Sequence, residues 1–221
     1  MAIHDDHRER LRRQFLKRGD SFEAYQLLEL LLFYSKPRVD TNPTAHMLID
    51  NFGGLKELLD APIEEIMKVD GIGERSALLI KLVQRLAIAY AEPDYSAVIA
   101  NDSAASGALL WPKFMGERNE IVYMMCLDAK NKVLGINEVG RGDIDYTPLD
   151  VKRVVQTALS RNAASVVLAH NHPSGMAVPS EADRRVTADV QHALGLMGIA
   201  LLDHLVMADG DFVSMRDSGL M

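Results

Sequence analysis

Cysteine is nearly missing from this chain of 221 residues: Cys126 stands alone. One thiol makes no internal disulfide, and its neighbours Met125 and Leu127 mark it as a packed core side chain rather than a reactive one. Long apolar runs are also missing. No stretch approaches the roughly 20 residues that span a bilayer, and Met1 to Arg13 is charged where a secretory leader would carry an apolar segment. No membrane association is expected, and the expected location is the cytoplasm. Positive charge is in deficit, with 24 Lys and Arg against 31 Asp and Glu, a net charge of −7. That balance excludes nucleic-acid binding through bulk electrostatics, which needs a basic surface. The amino terminus is the exception. Residues 1 to 18 hold Arg8, Arg10, Arg12, Arg13, Lys17 and Arg18 against Asp5, Asp6 and Glu9, which reads either as a solvated helix face or as a phosphate-contacting arm.

An apolar fraction of 48% is enough for a sizeable core, and the patterning splits the chain in two. Residues 1–95 read as an all-helical module. Ser21 is expected to cap a helix dense in leucine from Tyr25 to Leu32, Thr41 or Asn42 with Pro43 starts another, and Gly53 and Gly54 follow its end. Pro62 opens a short helix through Met67, and a long amphipathic one is predicted from about Glu74 to Tyr90. The charged, proline-containing stretch Glu92 to Ser96 is the expected linker. In residues 96–221 a helix over Ser103 to Phe114 gives way to strands Ile121 to Leu127 and Val133 to Val139 around a polar turn. Thr147 and Pro148 are expected to start a helix to Arg161. A short buried strand, Ser165 to Ala169, a helix from Ser180 to Met197 and a hairpin around Asp209 and Gly210 follow. The order is that of an α/β or α+β domain.

Chemistry concentrates where the buried strand runs out. His170 and His172 are two apart, and in an extended chain such residues point the same way about 6.6 Å apart, so both imidazoles can meet one ion. Asp183, in the first turn of the next helix, offers a carboxylate as third ligand. Two imidazoles and one carboxylate leave a tetrahedral position open, as in a catalytic zinc site rather than a closed structural one. The competing reading is local: Ser180 with Asp183 is an S-x-x-D capping box, which many helices carry. Capping and ligation are compatible, and the joint pattern H-x-H-x₇-S-x₂-D arises by chance in roughly one such chain in a few thousand. The letters His-Asn-His do not make an HNH nuclease, whose three residues are spread over a ββα element. Hydrolysis further needs a base and an oxyanion donor. Ser180 is the expected donor. For the base, Glu120 at the entry to the first strand competes with Glu138, Asp143 and Asp145.

These residues resemble the JAB1/MPN/Mov34 metalloenzymes, whose JAMM signature is a glutamate followed by H-x-H-x₇-S-x₂-D, and within them the bacterial RadC family. His170 to Gly175, Pro179 and Ser180, Asp183, Leu202 to His204 and the stretch Tyr25 to Leu32 all match that pattern. The resemblance implies a JAMM fold with one zinc ion per chain on His170, His172 and Asp183, Glu120 as general base and Ser180 as oxyanion-stabilising serine. It also implies a role in DNA repair or recombination. Eukaryotic deubiquitinases of this fold carry Ser or Thr between the histidines, where this chain has Asn171, and no ubiquitin-gripping insertion is visible. Peptide hydrolysis of another kind is therefore the expected chemistry.

In the helical module, Val69-Asp70-Gly71-Ile72-Gly73-Glu74-Arg75 is similar to a helix-hairpin-helix motif. Glycines let a backbone approach a phosphate and the following helix presents free amides, so Gly71, Ile72, Gly73 and Arg75 are the expected DNA contacts. Such binding would be independent of base sequence. A plain αα-hairpin that uses glycine for its turn is the competing reading. Two other functions stay open: a metal-dependent nuclease acting on branched or single-stranded DNA, and a non-catalytic DNA-binding adaptor.

Overall fold

The computed structural model describes residues 3–37, 39–91, 98–142 and 149–221, with side chains from Asp6 onward. The chain divides into two compact units, Met1–Ala89 and Tyr90–Met221. The expected linker at Glu92 to Ser96, together with Asp143, Asp145, Thr147 and Pro148, lies outside the described residues. No helix among the described residues is long and apolar enough to cross a membrane.

The first unit is helical: α1 (Ile3–Arg18), α2 (Ala24–Ser35), α3 (Asn42–Phe52), α4 (Leu55–Asp60), α5 (Ile63–Ile66) and α6 (Glu74–Ala91). Its core takes Leu28 and Leu32 from α2, Ala45 and Leu48 from α3, Leu58, Ile66, and Ala77 and Ile80 from α6. The start of α2 corrects the expectation at Ser21. That hydroxyl donates to Arg18 O at 2.9 Å and closes a short 3-10 turn, while Glu23 precedes the helix and its N–H is met by the Gln26 side chain at 3.0 Å. A Glu-x-x-Gln pair thus does locally what serine was expected to do. The six-residue α4 was not expected, being too short to show a period.

The second unit is built on one mixed sheet in the order β2-β1-β3-β4-β5, from β1 (Ile121–Leu127), β2 (Val133–Arg141), β3 (Ser165–Asn171), β4 (Ala200–Ala208) and β5 (Asp211–Ser214). All pairs are antiparallel except β3 with β4, whose parallel pairing needs the long crossover that α9 (Glu181–Leu196) supplies. One face of the sheet packs Val122, Met124, Cys126, Val166 and Leu168 against Val154 and Ala158 of α8 (Val151–Ser160) and Val190 and Leu194 of α9. The other packs Ile121, Met125, Leu127, Val167, Ala169 and Met207 against Leu109 and Leu110 of α7 (Ser103–Leu110) and Phe114 beyond it. Cover on both faces explains why β3 reads as one unbroken buried run instead of alternating. The polar residues at its end, His170 and Asn171, are buried with it.

Candidate metal centre

β3 runs two residues further than expected, so His170 sits within the strand and His172 just past it, its N–H donating to Met207 O at 2.9 Å. α9 begins directly across from them. Ser180 caps it: Asp183 N–H donates to Ser180 Oγ at 3.1 Å, while Ser180 N–H and Oγ–H both donate to Asp183 Oδ2, at 2.7 and 2.6 Å. The box thereby turns the rest of the Asp183 carboxylate toward the histidines. His170 Nε2 lies 2.9 Å from His172 Nε2 and 3.2 Å from Asp183 Oδ1, and His172 Nε2 lies 3.6 Å from Asp183 Oδ2. The ligand-type atoms of these three residues all fall within 4.8 Å of one another.

The outer nitrogens show what the inner ones can do. Thr187 Oγ1–H donates to Asp183 O at 2.5 Å, the backbone carbonyl one turn back on α9. Its oxygen is then an acceptor for His204 Nδ1–H, 2.6 Å away. Neutral His204 has a lone pair left on Nε2, which accepts His170 Nδ1–H at 2.9 Å. His172 Nδ1–H donates to Met176 O at 3.0 Å. Both imidazoles therefore present bare Nε2 lone pairs inward, beside a carboxylate. Three acceptors facing one another within a buried pocket repel unless a cation sits among them. A tetrahedral ion with bonds of about 2.0–2.1 Å keeps its ligand atoms about 3.3 Å apart, and the separations here bracket that value. The residues present fit a metal ion.

The electrostatics agree. Burial pushes the Asp183 carboxyl up, but His170, His172 and the Ser180 hydroxyl together outweigh it and hold the group far below the usual carboxylate range. His172 is raised, chiefly by its bond to Asp183 and further by the Met176 carbonyl and the Glu120 charge. The same surroundings that raise His172 favour a positive charge among these three side chains. His204, wholly buried and beside His170, is pushed well below its ordinary value and stays neutral, as the hydrogen-bond chain requires.

Glu120 directly precedes β1, half-buried, and its charge reaches His172. Of its competitors, Glu138 is engaged by Arg141 at 3.1 Å on β2, and Asp143 and Asp145 lie outside the described residues. Ser180 stands beside the centre with its proton given to Asp183. In the helical unit, Gly71 takes the left-handed backbone (φ 75°) at an αα turn, and Gly71, Gly73 and Arg75 are exposed. Ile72 is not: its side chain is buried in the helical core and anchors the turn. Lys36 Nζ, from just beyond α2, donates to Gly71 O at 2.8 Å and brings a cation to the turn from a distant part of the sequence. Thr187 and the position of His204 escaped the sequence reading. The only signal was His204 within the Leu202-Asp203-His204 match, since its approach to His170 depends on the β3–β4 pairing.

Residues 100–220 match the family model of the RadC-like JAB domain. A UPF0758 protein of Stenotrophomonas maltophilia is 35% identical over 100% of this chain and 96% of its own length. One of Ruegeria pomeroyi is 35% identical over 98% of the chain and 97% of its own. One of Rhodobacter capsulatus is 36% identical over 96% of the chain and 100% of its own.

Proposed function

This chain belongs to the RadC-like JAB domain family, and on that premise we propose that it is a zinc-dependent hydrolase cutting an amide bond of a peptide substrate, with one ion per chain on His170, His172 and Asp183. The observation that carries the reading is the meeting of three acceptors whose outer polar atoms are already bonded. Two imidazoles and a carboxylate with an open position are the donor set of catalytic zinc. When bound, the ion supplies a Lewis acid that polarises a carbonyl and makes water reactive near neutral pH. Glu120 takes the proton of the attacking water and passes it to the departing nitrogen. Ser180 turns its hydroxyl from Asp183 toward the oxyanion that forms, while its backbone N–H keeps the carboxylate in place. His204 and Thr187 hold His170 in the tautomer with Nε2 free. The test is incubation of zinc-loaded wild type and Glu120→Gln with a peptide library and with labelled branched and single-stranded DNA. Peptide cleavage lost in the variant is expected; cleavage of DNA alone would replace this reading by a nuclease, and no cleavage of either by an adaptor.

The helical unit favours DNA as a partner, consistent with a place in repair or recombination. The observation is the turn at the head of α6, with Gly71 and Gly73 exposed and the Lys36 ammonium bonded to it, a helix-hairpin-helix-like seat for a backbone phosphate. Arg75 lies exposed one turn along. Mobility shifts with single-stranded DNA check it: Lys36→Gln and Arg75→Gln should each weaken binding at low salt, and unchanged affinity in both leaves the hairpin a turn only.

A further inference from the structure

Asn171, between the two histidines, retains only 7% exposure, yet its side chain does not face the ion pocket. It reaches sideways to the chain entering β1. The backbone ladder between β1 and β3 ends at Val122 opposite His170. Beyond that pair the Asn171 carboxamide continues the ladder: Ile121 N–H donates to Asn171 Oδ1 at 2.8 Å, and Asn171 Nδ2–H donates to Asn119 O at 3.0 Å. These two groups lie on either side of Glu120. The peptide oxygen of Glu120 itself is held from the opposite side by Gly142 N–H at 3.0 Å, just past the end of β2. The main chain is thus fixed before, at and after Glu120, and only its own side-chain torsions remain free.

We propose that Asn171 is a positioning residue, whose carboxamide clamps the segment 119–121 so that the Glu120 carboxylate stands over the metal centre. This rests on the reading of Glu120 as the proton carrier. Here a donor and an acceptor, side by side on one planar group, straddle Glu120 alone. A hydroxyl in the same place is shorter and has one oxygen for both tasks, so neither Ser nor Thr can hold both sides. Because Asn171 is joined to both histidines of the centre, the clamp links the base to these two through two peptide bonds and one strand.

Three variants decide the matter without a known substrate: Asn171→Ser, Asn171→Thr as the better strand former should Ser fold poorly, and Glu120→Gln. The readouts are amide exchange at Ile121 in the metal-free protein, Co²⁺ bound per chain, and the pH midpoint of the visible absorption of the Co²⁺-loaded protein. In either Asn171 variant, exchange at Ile121 should quicken by about tenfold or more through local opening. Co²⁺ should stay near one per chain, and the midpoint should move in the same direction as in Glu120→Gln. A midpoint unmoved by the Asn171 variants while Glu120→Gln shifts it overturns the clamp and leaves the base assignment standing. A midpoint unmoved by Glu120→Gln overturns the base assignment, and the clamp with it.

Discussion

Among the described residues, each unit joins histidine to a buried carboxylate, and the two clusters are built on opposite principles. In the helical unit Glu29 is 1% exposed; its Oε1 lies 2.6 Å from His7 Nε2, its Oε2 accepts Asn42 Nδ2–H at 2.8 Å, and its backbone oxygen accepts Thr41 Oγ1–H at 3.2 Å. Nearby, Arg8 donates to the carbonyls of Lys36 and Val39 and lies over the Phe33 ring. Each acceptor there has its donor. At the end of β3, by contrast, two lone pairs and a carboxylate confront one another, and the donors are all on the outside. Composition does not separate the two clusters. The direction in which the protons point does.

The largest way to break that contrast is His172→Ala, which should reduce zinc from about one per chain to almost none, an affinity loss beyond a hundredfold, with the far-ultraviolet circular dichroism unchanged. Metal analysis after gel filtration reads it; full zinc content in the variant would remove His172 from the ligand set. Next comes His204→Ala. It leaves every ligand in place but frees the His170 ring, so affinity in a competitive chelator titration should fall about 10- to 100-fold. A variant that binds as wild type does would reduce the His170–His204–Thr187 chain to packing.

The pH dependence sharpens the same contrast. The folded pKa of His172 is raised, so in the metal-free protein its contribution to stability is full below about pH 6.5 and fades as pH rises through the raised value. The depressed Asp183 contributes above about pH 4 and is lost as pH falls through its folded value. Zinc needs the nitrogen that the His172 proton occupies, so its affinity should drop about tenfold per pH unit below the His172 midpoint and level off above it. Calorimetric zinc titrations across that range test the slope. The smallest effect belongs to the closed cluster. Thr41→Val removes one bond to Glu29 and should cost about 1 kcal/mol in denaturant unfolding, with zinc binding untouched.

The grouping of His170, His172 and Asp183 was legible in the sequence because it is local: two residues apart on a strand, and a carboxylate three residues into a helix, are patterns of dihedral geometry. The long buried strands and helices were legible for the same reason. What surrounds the ligands was not. His204 and Thr187 reach His170 through the pairing of β3 with β4 and the crossing of α9, and Asn171 reaches Glu120 across β1, contacts that carry no sequence period. Ile72 adds what the motif alone does not show: within the turn read as a phosphate seat, its side chain is the apolar plug that keeps the turn attached to its core.

One detail of α9 bears on the rate of metal uptake. The same carboxylate that faces the histidines with Oδ1 holds the first turn of the helix with Oδ2. Its torsional freedom is consequently surrendered when the helix forms. An incoming ion meets a ligand set with little left to organise, so uptake should be limited by shedding water and displacing one proton rather than by a rearrangement of the chain.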